Sequence, residues 1–279
     1  MRDLIKRCGF VSITGFPNAG KSTLMNNLIE DKVSIISKKA QTTRLEIKGI
    51  LNKELSQIIF IDTPGILKPR SFLDKNMSRS IVNAFDSSDI NLLVFDVQNR
   101  VNIKTFKIIL KLLQRFQKNI LILNKIDTIE KNKLLDISSK INSLYTFDNT
   151  LMISALRKKG LKELIDLLVK KVPKRPWIYN KDVKTDLDDE FLFSEITREK
   201  IFELLNKELP YSVKIETSIM NEENKVYQRI FVDKESQKPI IIGKNGSKIK
   251  QIGIRARQDI ESKLKKKIFL ELNVSLRKK

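Results

Sequence analysis

The sequence contains no histidine and only one cysteine, Cys8, among its 279 residues. A single cysteine cannot form an internal disulfide or a cysteine-based zinc site. The lack of histidine excludes every reaction that needs a histidine base. Such a composition is typical of a protein that works in a reducing compartment, and we expect a cytoplasmic one.

Long apolar runs are absent as well. No stretch approaches the roughly 20 apolar residues that a transmembrane helix needs. The first residues, MRDLIKRCGFVSI, lead into a strand without the apolar core of a signal peptide. We therefore expect a soluble chain, whose contact with a membrane would be confined to the membrane surface.

Acidic residues are outnumbered, because 33 Asp and Glu stand against 54 Lys and Arg and leave a net charge of +21. Such an excess suggests a polyanionic partner, although a Lys-rich proteome would also produce it. The charge is unevenly distributed within the C-terminal part. Residues 185–224 carry four basic and eleven acidic side chains, whereas residues 225–279 carry sixteen basic and five acidic ones. This sorting favours the polyanion-binding interpretation.

The length suits two domains, and the hydrophobic pattern predicts where they divide. Up to about residue 171, apolar runs alternate with helical patterns; the runs are FVSITG, QIIFIDT, INLLVFD, NILILNK and TLMISA. Such runs predict a mainly parallel sheet covered by helices, with ligands at the carboxyl ends of its strands. We predict an α/β domain over residues 1–171, a proline-containing linker over 172–184 and an α+β domain over 185–279.

The stretch GFPNAGKST follows the first apolar strand and opens a helical pattern, which is the setting of a phosphate-binding loop. Backbone N–H groups at a helix start can surround phosphates, the Lys21 ammonium reaches the terminal ones, and the Ser22 hydroxyl suits Mg²⁺. A glycine-rich turn without a ligand is the alternative interpretation. The candidate phosphate contacts are Gly15, Asn18, Ala19, Gly20, Lys21, Ser22 and Thr23.

Two further strand ends identify the nucleotide. The sequence DTPG places Asp62 where a carboxylate can hold Mg²⁺ through water, and Gly65 where a backbone N–H can approach a γ-phosphate. The sequence NKID contributes Asn124, Lys125 and Asp127. The Asp127 carboxylate can accept both guanine N1–H and the N2 amino group, a donor pair that adenine lacks. The three motifs together predict GTP and GDP as ligands.

With these motifs in this order, the sequence resembles the translation-factor-like GTPases with Ras-type switches, and more narrowly the Era family, over almost its whole length. The resemblance implies a P-loop GTPase domain that hydrolyses GTP with Mg²⁺. It places Ser22, Asp62 and a threonine of SKKAQTTRLEIKGI at the metal. That threonine is Thr43, with Thr42 as the close alternative. The implied catalytic residues are Lys21, Thr43 and Gly65.

The stretch SALRKKG resembles the last guanine loop of the family, in which the backbone of Ser154 and Ala155 contacts the base. Leu156 stands where the family usually has a lysine. Ile66 stands where Ras-like enzymes have a glutamine that orients the attacking water, so we predict slow intrinsic hydrolysis, although Ile66 could equally pack switch II. Asn18 matches a position at which some relatives hold K⁺, but asparagine also suits a tight turn.

The second domain contains GKNG, which resembles the G-x-x-G loop with which a KH domain clamps single-stranded nucleic acid. A simple turn is the alternative interpretation, but the predicted order helix, strand, strand, helix, helix, strand is that of the bacterial-type (type II) KH fold. The implied RNA contacts are Ile242, Gly243, Lys244, Asn245, Gly246, Lys248 and Lys250. We also predict an apolar floor for the bases, made of Ile240, Ile241, Ile242, Ile249 and Ile252.

Era proteins bind near the 3′ end of small-subunit (16S) ribosomal RNA during assembly, so the resemblance implies that RNA and the 30S subunit as partners, and no DNA. Three interpretations follow. GTP can switch the disposition of the RNA-binding domain, or the chain can bind RNA constitutively with GTP as a mainly structural ligand. In the third, the Lys-rich tail docks on the anionic inner-membrane surface.

The acidic run DLDDE, residues 186–190, also has two interpretations. Four carboxylates close in sequence could bind a metal ion. An acidic run before a helix also complements the positive charge of the helix N-terminus, and we expect this second role.

Overall fold

The computed structural model describes residues 6–35, 47–63, 88–99, 106, 109–110, 113–114, 117–205, 213–220 and 222–277. Within these ranges the chain forms two compact units: the first covers the described residues up to Ser34 and from Ile47 to Asp186, and the second covers Ile35 and the residues from Leu187 onwards. No helix in the described ranges is long and apolar enough to cross a bilayer. Four residues singled out from the sequence lie outside these ranges: Thr42, Thr43, Gly65 and Ile66.

The first unit alternates strands with helices, as the sequence predicts. Its elements are β1 (Arg7–Gly15), α1 (Lys21–Ile29), β2 (Ile47–Lys53), β3 (Ser56–Asp62), β4 (Ile90–Asp96), β5 (Asn119–Asn124), α2 (Lys131–Asn142), β6 (Asn149–Met152) and α3 (Leu161–Lys171). The strands form one sheet in the order β2-β3-β1-β4-β5-β6, and every neighbouring pair except β2 and β3 is parallel. The predicted mainly parallel sheet is therefore confirmed.

Burial explains why the central strands are apolar throughout. Every residue of β3, β4 and β5 is buried, as expected for a sheet with helices on both faces. The carboxyl ends of the parallel strands β1, β3, β4 and β5 consequently share one edge of the sheet. This edge carries the candidate nucleotide motifs.

Strand β2 is an addition to the predicted strands: its first four residues, 47–50, end the stretch SKKAQTTRLEIKGI, for which the resemblance implies a switch segment. It runs antiparallel to β3, with Ile47 opposite Asp62 and Lys53 opposite Ser56. Glu54, at a φ of 52°, makes the tight turn between the two strands. Strand β2 follows the predicted switch segment in the chain, and its pairing with β3 makes it an edge strand of the sheet.

The segment predicted as a linker, residues 172–184, packs against the first unit. Gln57 of β3, which is fully buried, holds this segment with both ends of its side-chain amide. Its Oε1 accepts from the backbone N–H groups of Ile178 and Tyr179, each at 2.9 Å, and its Nε2 donates to the Tyr179 carbonyl and to Asn52 Oδ1, also at 2.9 Å. Cys8 Sγ donates to the same Oε1 at 3.7 Å, so five hydrogen bonds converge on one side chain.

Two further contacts continue this attachment. The Trp177 indole N–H donates to the Leu55 carbonyl at 3.0 Å. At the far end of the segment, Ile50 N donates to the Lys184 carbonyl at 2.8 Å. The chain thus stays on the first unit almost to the point where the second begins.

The second unit contains the predicted order of elements. They are α4 (Asp189–Leu204), β7 (Lys214–Met220), β8 (Lys225–Val232), α5 (Lys238–Ile242), α6 (Ser247–Leu264) and β9 (Phe269–Leu276). β8 is central, antiparallel to β7 and parallel to β9. Side chains of the helices and of one sheet face form the core, which includes Ile201, Ile230 and Ile252. On α6, Ile260 is buried and Leu264 is half-buried, as their i, i+4 spacing predicts.

The acidic run before α4 has the role expected for a helix start. Asp188 is the N-cap, and its carboxylate accepts a hydrogen bond from Phe191 N at 2.7 Å. Asp189 and Glu190 occupy the first turn, where negative charge complements the helix dipole.

We expect Gln57→Ala to lower the free energy of unfolding of the first unit by about 2–4 kcal/mol, because buried partners of its amide lose their hydrogen bonds. Urea denaturation followed by fluorescence would measure this loss, since Trp177 is the sole tryptophan and lies in the released segment. Gln117→Ala, at an exposed position, is the matched control. Equal midpoints for the two variants would contradict the role assigned to Gln57.

Candidate functional site

The predicted nucleotide motifs meet at one edge of the first sheet. Gly15 ends β1, Asp62 ends β3 and Asn124 ends β5, and these strands are parallel. Asp96 ends the intervening strand β4. The sequence therefore placed the motifs correctly along the chain, and the parallel sheet brings them together.

The phosphate loop holds a buried cation. Lys21 is 7% exposed, and its ammonium donates to the carbonyls of Gly15 at 3.3 Å and Phe16 at 3.0 Å. Burial lowers the pKa of Lys21 to about 8, and the nearby Asp62 carboxylate partly opposes this shift. A desolvated ammonium held against neutral carbonyls is well suited to attract a phosphate anion.

The remaining loop residues differ in exposure. Ala19 is buried, Thr23 is half-buried in the first turn of α1, and Asn18 is exposed. Asn18 also has a φ of 62°, a conformation that asparagine tolerates better than most residues. Its use in a tight turn is therefore observed.

A buried carboxylate stands beside the loop. Ser22 Oγ donates to Asp62 Oδ2 at 2.7 Å, and Ser34 Oγ donates to the same oxygen at 2.9 Å. Hydroxyl and carboxylate oxygens next to a phosphate site are the ligands that Mg²⁺ prefers. Ser22 and Asp62 thus fit a magnesium ion that would also contact bound phosphates.

Asn124 connects the phosphate loop with the guanine side of the site. Its Nδ2 donates to the Ala19 carbonyl at 2.8 Å, and its Oδ1 accepts from Ala155 N at 2.9 Å. From α1, Asn27 Nδ2 donates to the Ala155 carbonyl at 2.8 Å. Ser154 and Ala155 are both buried and fixed in place.

Lys125 and Asp127 adopt defined positions after β5. Lys125 has a φ of 67°, and its ammonium contacts Asp96 Oδ2 at 2.6 Å. Asp127 lies in the short 3₁₀ turn Ile126–Thr128, with its Oδ2 at 4.0 Å from Arg157 Nε. Its carboxylate is thereby placed on the same side of the sheet as the loop that begins at Ser154.

The loop after β6 closes on itself. Ser154 and Lys159 exchange two backbone hydrogen bonds, and Ser154 Oγ accepts from Arg157 N at 3.1 Å. Leu156, which replaces the usual lysine, is 72% exposed. The backbone of the loop is therefore set by its ends, while the Leu156 side chain contributes nothing to its closure.

Three contributors to this site were missed from the sequence: Asp96, Ser34 and Asn27. Asp96 ends an apolar strand, as Asp62 does, so the strand-end signal was available for it. Ser34 and Asn27 carry no local signal, because each contacts a residue far away along the chain.

In the second unit, the GKNG stretch forms an exposed turn between α5 and α6. Lys244, Asn245, Lys248 and Lys250 are exposed. A Cβ on Gly243 would lie 2.9 Å from Lys248 N, so only glycine permits this close turn. The N-terminus of α6 and the exposed lysines form a basic surface suited to phosphates.

The predicted apolar floor is wrong for two of its five isoleucines and stays a prediction for the others. Ile241 and Ile252 are fully buried in the core of the second unit, so they cannot contact a base. Ile240 is exposed, and Ile242 and Ile249 are half-buried. The error arose because α5 is a helix, so that consecutive isoleucines point in different directions rather than to one surface.

Family models match both units. One described as a 50S ribosome-binding GTPase matches residues 10–125, and one described as a KH domain matches residues 198–279. The GTPase Era of Syntrophus aciditrophicus is 42% identical over 277 residues, which cover 98% of this chain and 90% of the relative. The GTPase Era of Brucella suis is 40% identical over 275 residues, which cover 97% and 88%.

Two solved structures are similar over nearly the whole chain. Era in complex with MgGDPNP and nucleotides 1506–1542 of 16S ribosomal RNA superposes with a TM-score of 0.90 at 36% identity and covers 98% of this chain and 94% of that one. A variant of Aquifex aeolicus Era bound to GDP and AlF₄⁻ has a TM-score of 0.89 at 35% identity, with 97% and 94% covered.

The pKa of Lys21 predicts a pH dependence of nucleotide binding. A bound phosphate favours the charged ammonium, so the pKa is higher in the complex than the value of about 8 without nucleotide. At pH values below about 8, Lys21 is charged both with and without bound nucleotide, so the affinity for GDP is at its maximum. Above it, binding must take up a proton, and we expect affinity to fall towards about tenfold per pH unit.

Fluorescence titration of GDP between about pH 7 and 9 would measure this effect. Guanosine is the control, because it carries the base, with its own titration, but no phosphate. A flat GDP profile, or the same profile for guanosine, would contradict the assignment.

Proposed function

This chain belongs to the Era family of GTPases, and on that premise we propose that it is a GTP-driven switch that binds 16S ribosomal RNA near its 3′ end and acts in 30S subunit assembly. The proposal is carried by the juxtaposition of phosphate, Mg²⁺ and guanine contacts at one sheet edge, in a chain that also carries the exposed Gly243–Gly246 turn. We propose a GTPase domain over residues 1–171, a connecting segment over 172–184 and a type II KH domain over 185–279.

The proposed nucleotide contacts follow from the geometry. Lys21 and the backbone of Gly15–Thr23 bind the phosphates, and Asp127 accepts the guanine donors. Ser22 and Asp62, together with Thr43 or Thr42, hold Mg²⁺, which neutralises charge on the phosphates when it is bound. Asn124 and Lys125 keep the guanine side in place through Ala19, Ala155 and Asp96.

Hydrolysis gives GDP and phosphate, and we propose that its intrinsic rate is slow. Ile66 cannot orient water as a glutamine amide does, and the chain has no histidine to replace it. Gly65 and Thr43 would contact the γ-phosphate and the metal. K⁺ beside Asn18 is the proposed electrostatic aid, and equal single-turnover rates in KCl and NaCl would contradict it.

The proposed RNA site is the exposed turn with its following helix. Lys244, Lys248 and Lys250 would contact phosphates, and Gly243, Asn245 and Gly246 allow the RNA backbone to approach closely. Ile242 is the half-buried isoleucine at the end of α5, next to this turn. Era has been crystallised with nucleotides 1506–1542 of 16S ribosomal RNA, which supports the same RNA as the partner here.

Two alternatives remain as proposals of their own. A constitutive RNA-binding factor would use GTP as a structural ligand, which the hydrophobic Ile66 favours. The basic C-terminal region would also bind an anionic inner-membrane surface, giving a cytoplasmic protein that is peripheral on the membrane. Binding to RNA that weakens with added salt, without binding to anionic vesicles, would favour RNA over the membrane as the partner.

The central experiment is fluorescence anisotropy with an RNA that matches the 3′ end of 16S ribosomal RNA, in GTP-analogue, GDP and nucleotide-free buffers. We expect tighter binding in the GTP-analogue state than in the other two. We also expect Lys244→Ala/Lys248→Ala to weaken binding at least about tenfold and to reduce the slope against salt by roughly 1–2, because phosphate contacts are lost.

Lys131→Ala/Lys140→Ala, at exposed positions of α2, removes the same charge and is the matched control. Equal affinity in all three nucleotide states would favour the constitutive factor. Binding of a scrambled RNA with the same affinity would mean that the second unit binds RNA only as a general basic surface, without sequence preference.

A further inference from the structure

Ser34 is a buried hydroxyl that the phosphate and guanine motifs do not include. It is 1% exposed, and its Oγ donates to Asp62 Oδ2 at 2.9 Å. The same oxygen accepts from Ser22 Oγ at 2.7 Å. Two hydroxyls from different parts of the first unit therefore converge on one carboxylate oxygen.

This convergence determines how Asp62 can serve a metal ion. A carboxylate oxygen offers two lone pairs in its plane, so two hydroxyl donors saturate Oδ2. A water molecule on Mg²⁺ would then have to donate to Oδ1. The orientation of the whole carboxylate thus depends on both serines, although only Ser22 belongs to the phosphate loop.

Ser34 is itself fixed to the helix that follows the phosphate loop. Asn26 of α1 donates from Nδ2 to the Ser34 carbonyl at 2.7 Å, and its Oδ1 accepts from Ser34 N at 3.0 Å and Val33 N at 3.2 Å. Asn26 is also buried. The hydroxyl of Ser34 is consequently held at a set distance from the phosphate loop rather than free to follow Asp62.

From this geometry we propose that Ser34 is a positioning residue for Mg²⁺: its hydroxyl orients Asp62 through Oδ2, so that Oδ1 would be the oxygen that serves a bound metal ion. The inference rests on the proposed nucleotide function. Without the Ser34 hydroxyl, Asp62 Oδ2 keeps the hydrogen bond from Ser22 but loses the second hydroxyl that orients it. Loss of such an orienting hydrogen bond typically weakens metal binding by about tenfold or more.

The test is the release of fluorescent N-methylanthraniloyl-GDP from the full chain at increasing Mg²⁺ concentration. We expect Ser34→Ala to raise the Mg²⁺ concentration for half-maximal slowing of release by roughly tenfold. In excess EDTA, where no metal is bound, release should stay within about twofold of the unmodified chain. A purely structural loss would accelerate release equally with and without Mg²⁺.

Ser12→Ala is the matched control. Ser12 is equally buried in the first unit, and its hydroxyl donates to Asn91 Oδ1 at 3.2 Å and not to Asp62. An unchanged Mg²⁺ midpoint in Ser34→Ala, or the same shift in Ser12→Ala, would overturn the proposal. If the unmodified chain bound no GDP, the nucleotide function itself would fail, which is a distinguishable result.

Discussion

The candidate nucleotide site depends on the side-chain amide of Asn124. Its two ends bind the Ala19 carbonyl and Ala155 N, so one residue sets the separation of the phosphate loop and the guanine loop. Asn124 also restricts the residue that follows Ala19, because a Cβ on Gly20 would lie 2.4 Å from Asn124 Nδ2. The second half of the phosphate loop therefore needs glycine for packing against Asn124 as well as for its φ of 92°. A rigid distance between two binding sites is what preorganises a site for a ligand that spans them.

The charges of the site follow from the same arrangement. Lys125 is paired with Asp96, which neutralises its charge. Lys21 has only neutral carbonyls as hydrogen-bond acceptors among its described contacts, and its lowered pKa records the cost of that burial. A phosphate would supply the missing negative charge. Lys21 is thus placed to bind an anion, while Lys125 is held in an ion pair with Asp96.

The sequence allowed the parallel sheet, the strand-end motifs and the order of elements in the second unit to be predicted, because apolar periodicity and turn residues are local signals. Contacts between distant residues have no such signal. Gln57 bonded to residues 178 and 179, and Ser34 bonded to Asp62, appear only when the chain is folded. The predicted isoleucine floor is wrong for Ile241 for a related reason: residues 238–242 form a helix, which buries Ile241 and exposes Ile240.

In the proposed switch, strand β2 connects the predicted switch segment with the end of the connecting segment, residues 172–184, within the first unit. It continues directly from the segment that contains Thr42 and Thr43, and its Ile50 N–H binds the Lys184 carbonyl at 2.8 Å. Lys48 of the same strand contacts Asp186 at 2.9 Å, but both side chains are partly exposed, so this pair contributes at most about 1 kcal/mol. The backbone hydrogen bond between Ile50 and Lys184 is therefore the contact on which this connection rests. Because the main part of the second unit begins at Leu187, a displacement of β2 would act on the chain three residues before that part starts.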